Sequence, residues 1–207
     1  MNKTLFLIDD HVMVRNGLKN WLEVNTDWKI TGEAACKDEC INLLNKTTPE
    51  TYPDIMIVDV RLENETTGFD LINEVKVNHP KIKYLVYTSF DYNYNILNAK
   101  ESGANGFISK SASEQNLVEG LNKVAEGSKT DFYLEEKLQK SVESLEAIFP
   151  FLTRQEKRVL EQILKGHSNE QISNNLFLTV HSVENYVSRL YDKLGVSSRA
   201  DIMQKFN

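Results

Sequence analysis

Thr4-Leu5-Phe6-Leu7-Ile8-Asp9-Asp10 and Ile55-Met56-Ile57-Val58-Asp59 are the two stretches whose reading decides the fold. Each is an apolar run without polar alternation, the mark of a strand buried on both faces in a parallel sheet covered by helices. Each ends in acid. In such sheets ligands bind beyond the carboxyl ends of the strands. If the first and third strands are neighbours, Asp9, Asp10 and Asp59 converge, and their repulsion calls for a cation. An all-oxygen donor set selects a hard ion, Mg²⁺. The fourth strand, Lys83-Tyr84-Leu85-Val86-Tyr87, runs out at Thr88-Ser89, and the fifth, Gly106-Phe107-Ile108-Ser109, runs out at Lys110. A hydroxyl and an ammonium beside a metal-bound carboxylate suit an incoming phosphoryl group, with Asp59 as nucleophile. An aspartyl-phosphate site is expected.

Asp9-Asp10, Asp59, Thr88 and Lys110, with Gly103-Ala104-x-Gly106-Phe107 leading into the lysine, resemble the receiver domain of two-component response regulators. Asp9-Asp10-His11-x-x-Val14-Arg15-x-Gly17-Leu18 is similar to the start of the NarL/FixJ subfamily. The resemblance implies a flavodoxin-like receiver that takes a phosphoryl group from a sensor histidine kinase. It further implies Mg²⁺ held by Asp9 or Asp10, Asp59 and the carbonyl of Arg61, with Thr88 and Lys110 reading the phosphate and Ser89 and Phe107 beside them. Alone, a strand-end Asp is usually a cap or turn residue. One stretch departs from the family: Arg61-Leu62-Glu63-Asn64-Glu65-Thr66-Thr67-Gly68 lacks the usual Met-Pro pair, is one residue longer, and adds Glu63 and Glu65 near the site.

The chain is long enough, at 207 residues, for two small domains, each with its own core. Charge divides it unevenly. Residues 1 to 150 carry 16 Lys and Arg against 24 Asp and Glu, whereas residues 151 to 207 carry 8 against 6. Only the second part would attract a polyanion, and its excess is small. No apolar run approaches a membrane span, and Asp9-Asp10 interrupts the one apolar stretch near the amino terminus, so a cytoplasmic protein is expected. Cys36 and Cys40, four apart on one expected helix, read as reduced thiols because no second cysteine or histidine cluster accompanies them.

Strand and helix alternate up to about Glu126, the signature of a doubly wound parallel sheet, here of five strands. Strands are expected near 4–8, 28–35, 54–58, 83–87 and 105–108. Helices are expected near 12–24, 38–46, 69–78, 92–102 and 113–126. Residues 1–127 are expected to form the receiver that the resemblance implies. Residues 128–150 form a linker that is partly helical, with Leu134, Leu138, Val142 and Leu145 on one stripe and Pro150 ending it.

After Pro150 the pattern is wholly helical. Thr153 with Glu156 three residues on is a capping box opening a helix that runs to Lys165-Gly166. A second helix begins at Ser168, with Ile172 and Leu176 inward. A third starts at Thr179, with Val183, Val187, Leu190 and Leu194 spaced for burial. Its outer face carries His181, Glu184, Asn185, Ser188, Arg189 and Asp192, as a helix-turn-helix reader requires. Leu152-Thr153-Arg154-Gln155-Glu156-x-x-Val159-Leu160, Gly166-x-Ser168-Asn169-x-x-Ile172-Ser173-x-x-Leu176 and Ser182-Val183-x-x-Tyr186-x-x-x-Leu190-x-x-Lys193-Leu194 resemble the LuxR-type output domain. Residues 151–207 are therefore a small all-α helix-turn-helix domain. In the relatives, base contacts come from positions matching Glu184, Asn185 and Ser188. Thr179, His181, Ser182, Arg189 and Lys193 complete the expected DNA surface, with Arg189 and Lys193 on phosphates. Glu184 replaces the common lysine and Tyr186 the common histidine, so Glu184 either accepts from a cytosine amino group or turns away from DNA.

The expected protein is a phosphorylation-switched transcription factor: a homodimer once phosphorylated, on double-stranded DNA. Thr88 would close on the phosphoryl group, and Phe107 would repack against the fourth helix, whose Asn93, Asn95 and Asn98 make it weak on its own. Two rivals differ in class. An enzyme of the haloacid dehalogenase type would need a second acid two residues after Asp59, where Arg61 stands. A receiver signalling by protein contact alone would explain Glu184 and the slight positive charge.

Overall fold

The structure, a computed structural model, describes residues 3–63, 66–128 and 131–206. Two units divide the chain. The first comprises Met1–Asp91 and Asn98–Glu136, the second Tyr92–Leu97 and Lys137–Asn207. In the first, β1 (Thr4–Ile8), β2 (Lys29–Ala34), β3 (Ile55–Val58), β4 (Lys83–Thr88), β5 (Gly106–Ser109) and β6 (Tyr133–Leu134) form one parallel sheet in the order β2-β1-β3-β4-β5-β6. In sequence between them run α1 (Val12–Asn25), α2 (Lys37–Leu44), α3 (Gly68–Asn78) and α5 (Glu114–Glu126), while α4 (Asn93–Ser102) is divided between the two units after Leu97. Despite its three asparagines α4 is a regular helix, with Ile96, Leu97 and Ala99 buried.

Burial on both faces explains the unbroken apolar runs. Leu5, Leu7, Ile55, Ile57, Leu85 and Ile108 point to one side, where they meet Leu22 and Trp28 and the α5 residues Leu117, Leu121 and Val124. Phe6, Ile8, Met56, Val58, Tyr84, Val86 and Phe107 alternate with them and are buried on the other side. Register then does the positioning. Ile8 stands opposite Val58, so the residues that follow, Asp9 and Asp59, emerge side by side at the strand ends. The ladder continues into the site, since the Asp59 amide donates to the Ile8 carbonyl at 2.9 Å.

The sheet has six strands where the sequence pattern predicts five. Two residues cannot show alternation, and Leu134 shares a helical stripe with Leu138, Val142 and Leu145, which hides the strand inside the linker helix. A parallel register, Gly106 opposite Tyr133 and Phe107 opposite Leu134, adds it beside β5. Gly120 on α5 makes room, because a Cβ there would come within 2.9 Å of the Tyr133 ring.

In the second unit α6 (Glu136–Glu146) and a 3-10 turn at Phe149–Phe151 precede four helices, α7 (Arg154–Leu164), α8 (Asn169–Leu176), α9 (Val180–Leu194) and α10 (Arg199–Phe206). Reciprocal capping boxes open α7 at Thr153 and Glu156 and α8 at Ser168 and Gln171. Val159, Leu160, Ile163, Ile172, Val183, Leu190, Leu194, Ile202 and Phe206 form the buried centre. The fourth helix, α10, falls outside the sequence reading, being short and weakly amphipathic. Three residues, Phe177 to Thr179, join α8 to α9, and Phe177 takes the left-handed conformation at φ 55°. No described helix is long and apolar enough to cross a membrane.

Candidate phosphoacceptor site and reading helix

Four side chains meet at the ends of β1 and β3. Ligand atoms of Asp9, Asp10, His11 and Asp59 all lie within 4.8 Å of one another. Asp9 and Asp59 are buried, Asp59 being only 4% exposed, whereas Asp10 keeps partial contact with solvent. Buried carboxylates need partners. Lys110 supplies them, its ammonium donating to Asp9 Oδ2 and to Asp59 Oδ2, each at 2.5 Å. The other Asp59 oxygen accepts from the Val60 amide at 2.6 Å, and Asp9 Oδ1 accepts from the His11 amide at 2.9 Å. His11 Nδ1 stands 2.6 Å from Asp10 Oδ1. Burial alone would lower the Lys110 pKa, but hydrogen bonds and charge from Asp59 and Asp9 outweigh it and hold it above the ordinary lysine value. The donor set fits a hard divalent cation, since three carboxylates face one another and a single lysine offsets only part of their charge.

Thr88 is fully buried at the end of β4, and its Oγ1 accepts from the Phe90 amide at 3.3 Å. The Lys110 amide donates to the Thr88 carbonyl at 2.7 Å, which ties the two strand ends together. Ser89 is exposed, and Phe107 is fully buried in β5 opposite Val86. The Arg61 guanidinium lies 3.8 Å over the Phe90 ring and so joins the loops after β3 and β4. In the unusual loop, Arg61 and Thr67 form an antiparallel bridge, and Leu62 donates to the Thr66 carbonyl at 3.2 Å. Glu63 is exposed, and Glu65 lies outside the described residues.

Two supporting residues carry no mark of their role in the sequence. A Cβ on Gly68 would stand 2.1 Å from the Asp59 carbonyl oxygen and 2.8 Å from Val58 Cγ1, so only glycine can open α3 against the site. Arg15, mostly buried on α1, donates to the Asp9 carbonyl and lies beside Glu33.

On α9 the spacing places Val183, Val187, Leu190 and Leu194 inward and leaves His181, Glu184, Asn185, Ser188 and Arg189 exposed. Thr179 caps the helix, accepting from the Ser182 amide at 3.1 Å, with the two hydroxyls 2.8 Å apart. His181 Nδ1 is 3.7 Å from Glu184 Oε2, and the Arg189 guanidinium lies 5.7 Å from the Tyr186 ring centre. Lys193 differs from the others. Its ammonium is committed inside the unit, to Glu156 Oε2 at 2.7 Å and the Phe151 carbonyl at 3.2 Å. Burial alone would raise the Glu156 pKa, but Lys193 and the Thr153 amide outweigh it and hold the carboxyl below its usual value. Lys193 itself stays exposed, and its spacing on the helix gives no sign of this bond to Glu156.

Fold and site together define an acid-pocket α/β unit in one chain with a helix-turn-helix unit. The chain belongs to the response regulators: residues 5–122 match the response regulator receiver domain, and residues 150–206 match the bacterial regulatory proteins of the luxR family. It is 29% identical over 198 residues to the response regulator protein VraR of Staphylococcus aureus (strain Mu3), covering 95% of this chain and 92% of that one. VraR of Staphylococcus epidermidis matches at the same identity and coverage. Among solved structures, RcsB from Salmonella enterica serovar Typhimurium, bound to promoter rprA in the presence of phosphomimetic BeF3-, shares the fold with a TM-score of 0.68 at 19% identity, covering 100% of this chain and 98% of that one.

Proposed function

We propose that this chain is a transcription factor switched by phosphorylation at Asp59. The observation that carries the reading is Lys110 bridging Asp9 and Asp59 at adjoining strand ends, in a chain whose other unit presents a polar helix of helix-turn-helix type. Residues 1–127 act as receiver, with β6 of the following segment completing its sheet, 128–150 otherwise act as link and 151–207 as output domain. An Asp59 carboxylate oxygen attacks the phosphorus of a phosphohistidine on a sensor kinase. The P–N bond breaks, and the departing imidazole nitrogen keeps the electron pair and takes a proton. Asp9 or Asp10, Asp59 and the Arg61 carbonyl would hold Mg²⁺, which when bound would supply charge neutralisation for the transferring oxygens. Lys110 shifts part of its bonding from Asp59 to a phosphoryl oxygen, and the Thr88 hydroxyl donates to another. Ser89 and Phe107 flank that change.

With Arg61 rather than an acid two residues after Asp59, the site is a switch and not a hydrolase turning over a substrate. The output is a homodimer placing two copies of α9 in successive major grooves of duplex DNA. Thr179, His181, Ser182, Glu184, Asn185, Ser188 and Arg189 meet the DNA, and Lys193 holds α9 in place from within. The protein works in the cytoplasm. A small acyl-phosphate donor with Mg²⁺ should add one hydroxylamine-sensitive phosphoryl group to the parent and none to Asp59→Asn. Undiminished labelling of that variant would move the site elsewhere.

A further inference from the structure

The amino end of α9 combines surfaces that a phosphate-seeking helix would not choose. Val180, its first residue, is 38% exposed, and Phe177 in the turn before it is 94% exposed. One turn on, the Glu184 side chain is 58% exposed, and His181 Nδ1 lies 3.7 Å from its carboxylate. Val180 and Glu184 are four residues apart and share one side of the helix, about 6 Å apart along its axis. That separation spans nearly two base-pair steps at about 3.4 Å each.

We propose that this end of α9 reads pyrimidines, Val180 against a thymine 5-methyl group and Glu184 accepting from a cytosine N4 amino group. The inference rests on the DNA-binding reading above and goes on to name the bases. Purines do not fit beneath Glu184, because guanine N7 and O6 and adenine N7 are all acceptors facing a carboxylate. Cytosine alone offers the carboxylate an amino donor without an N7 acceptor beside it. An exposed valine has no donor or acceptor to give, and the methyl of thymine is the apolar mark in the major groove. Phe177 extends the apolar surface at the same end. Ser188 is exposed about two turns on from Val180 along the same side as Glu184, whereas Arg189 lies about half a turn round the helix from Val180.

The test uses the full chain, treated with phosphodonor, on a library of randomised duplexes. Recovered sites should place cytosine and thymine within two positions of each other in each half-site. Replacing that thymine by deoxyuridine removes only the methyl, and should weaken the parent about three- to tenfold while leaving Val180→Ala unaffected. Glu184→Gln should recover adenine where the parent recovers cytosine, since glutamine pairs with adenine N6 and N7. Unchanged parent affinity on deoxyuridine duplexes overturns the methyl contact. Recovery of the parent's sites by Glu184→Gln overturns the amino contact. Recovery of no duplex at all overturns the DNA-binding reading and this inference with it.

Discussion

The acid pocket and the reading helix position their functional groups by opposite means. In the pocket, Asp9, Asp59 and Thr88 are buried, and sheet register fixes each of them within hydrogen-bonding reach of a neighbour. On α9 the side chains proposed to meet DNA are mostly exposed, and helix periodicity decides how they are arrayed. A buried carboxylate must be matched by partners or it destabilises the fold, so the pocket is tightly constrained. An exposed side chain costs the fold little either way, which leaves the reading face free to carry an unusual residue such as Glu184. Substitutions in the pocket should therefore disturb structure and chemistry together, and those on the reading face chemistry alone.

Gly68→Ala should show the largest effect of this kind. A methyl 2.1 Å from the Asp59 carbonyl forces the start of α3 away from the site, and overpacking of this sort costs about 1–3 kcal/mol or more. Thermal unfolding should move down by several degrees, and phosphoryl uptake should fall as well. A variant with normal stability and normal uptake would break the claim that register and close approach hold the pocket.

Next comes the tie beneath α9. Lys193→Met leaves Glu156, 2% exposed, with the Thr153 amide but without its cation, at a cost of about 1–3 kcal/mol. If Lys193 instead served mainly on phosphates, stability would hold and only DNA affinity would fall. The same pair predicts a pH response. Because the folded Glu156 pKa is depressed, the stabilisation is complete above its unfolded value near 4.5 and is lost as pH falls through the folded value. Glu156→Gln should remove that part of the acid-unfolding curve, as circular dichroism against pH would show.

A smaller effect is expected at Asp10. It stands beside Asp9 and Asp59, the two carboxylates to which Lys110 is bonded, without sharing that bond, so Asp10→Ala should raise stability without metal by about 0.5–1 kcal/mol, while weakening Mg²⁺ binding and slowing phosphorylation. Calorimetry with and without Mg²⁺ checks both signs. Smallest is Phe177→Asn. The ring is almost wholly exposed and the backbone left-handed, where asparagine is better tolerated, so melting should rise by an amount worth up to about 1 kcal/mol.

What could be read from the sequence follows the same division. The apolar runs and their terminal acids stand in plain view because strands buried on both faces leave no polar alternation to confuse them. Thr153 with Glu156 and the stripe from Val183 to Leu194 were legible for the matching reason in helices. The misses depend on distance or brevity. Lys193 reaches Glu156 across 37 residues, which no local pattern reports. β6 is two residues long. The left-handed turn at Phe177 carries neither glycine nor asparagine, the residues that would have announced it.

The central claim joins the two regions, phosphorylation at Asp59 acting on DNA binding by α9. Its direct measurement is the affinity of the full chain for a duplex recovered from the random library, with and without phosphodonor, at matched salt, alongside Asp59→Asn. A net positive charge as small as that of residues 151–207 neutralises few phosphates, so tight binding needs two copies, and phosphorylation should supply the second. The account predicts that phosphodonor tightens binding by the parent and leaves Asp59→Asn unmoved. Equal affinity of the parent before and after phosphorylation would contradict it.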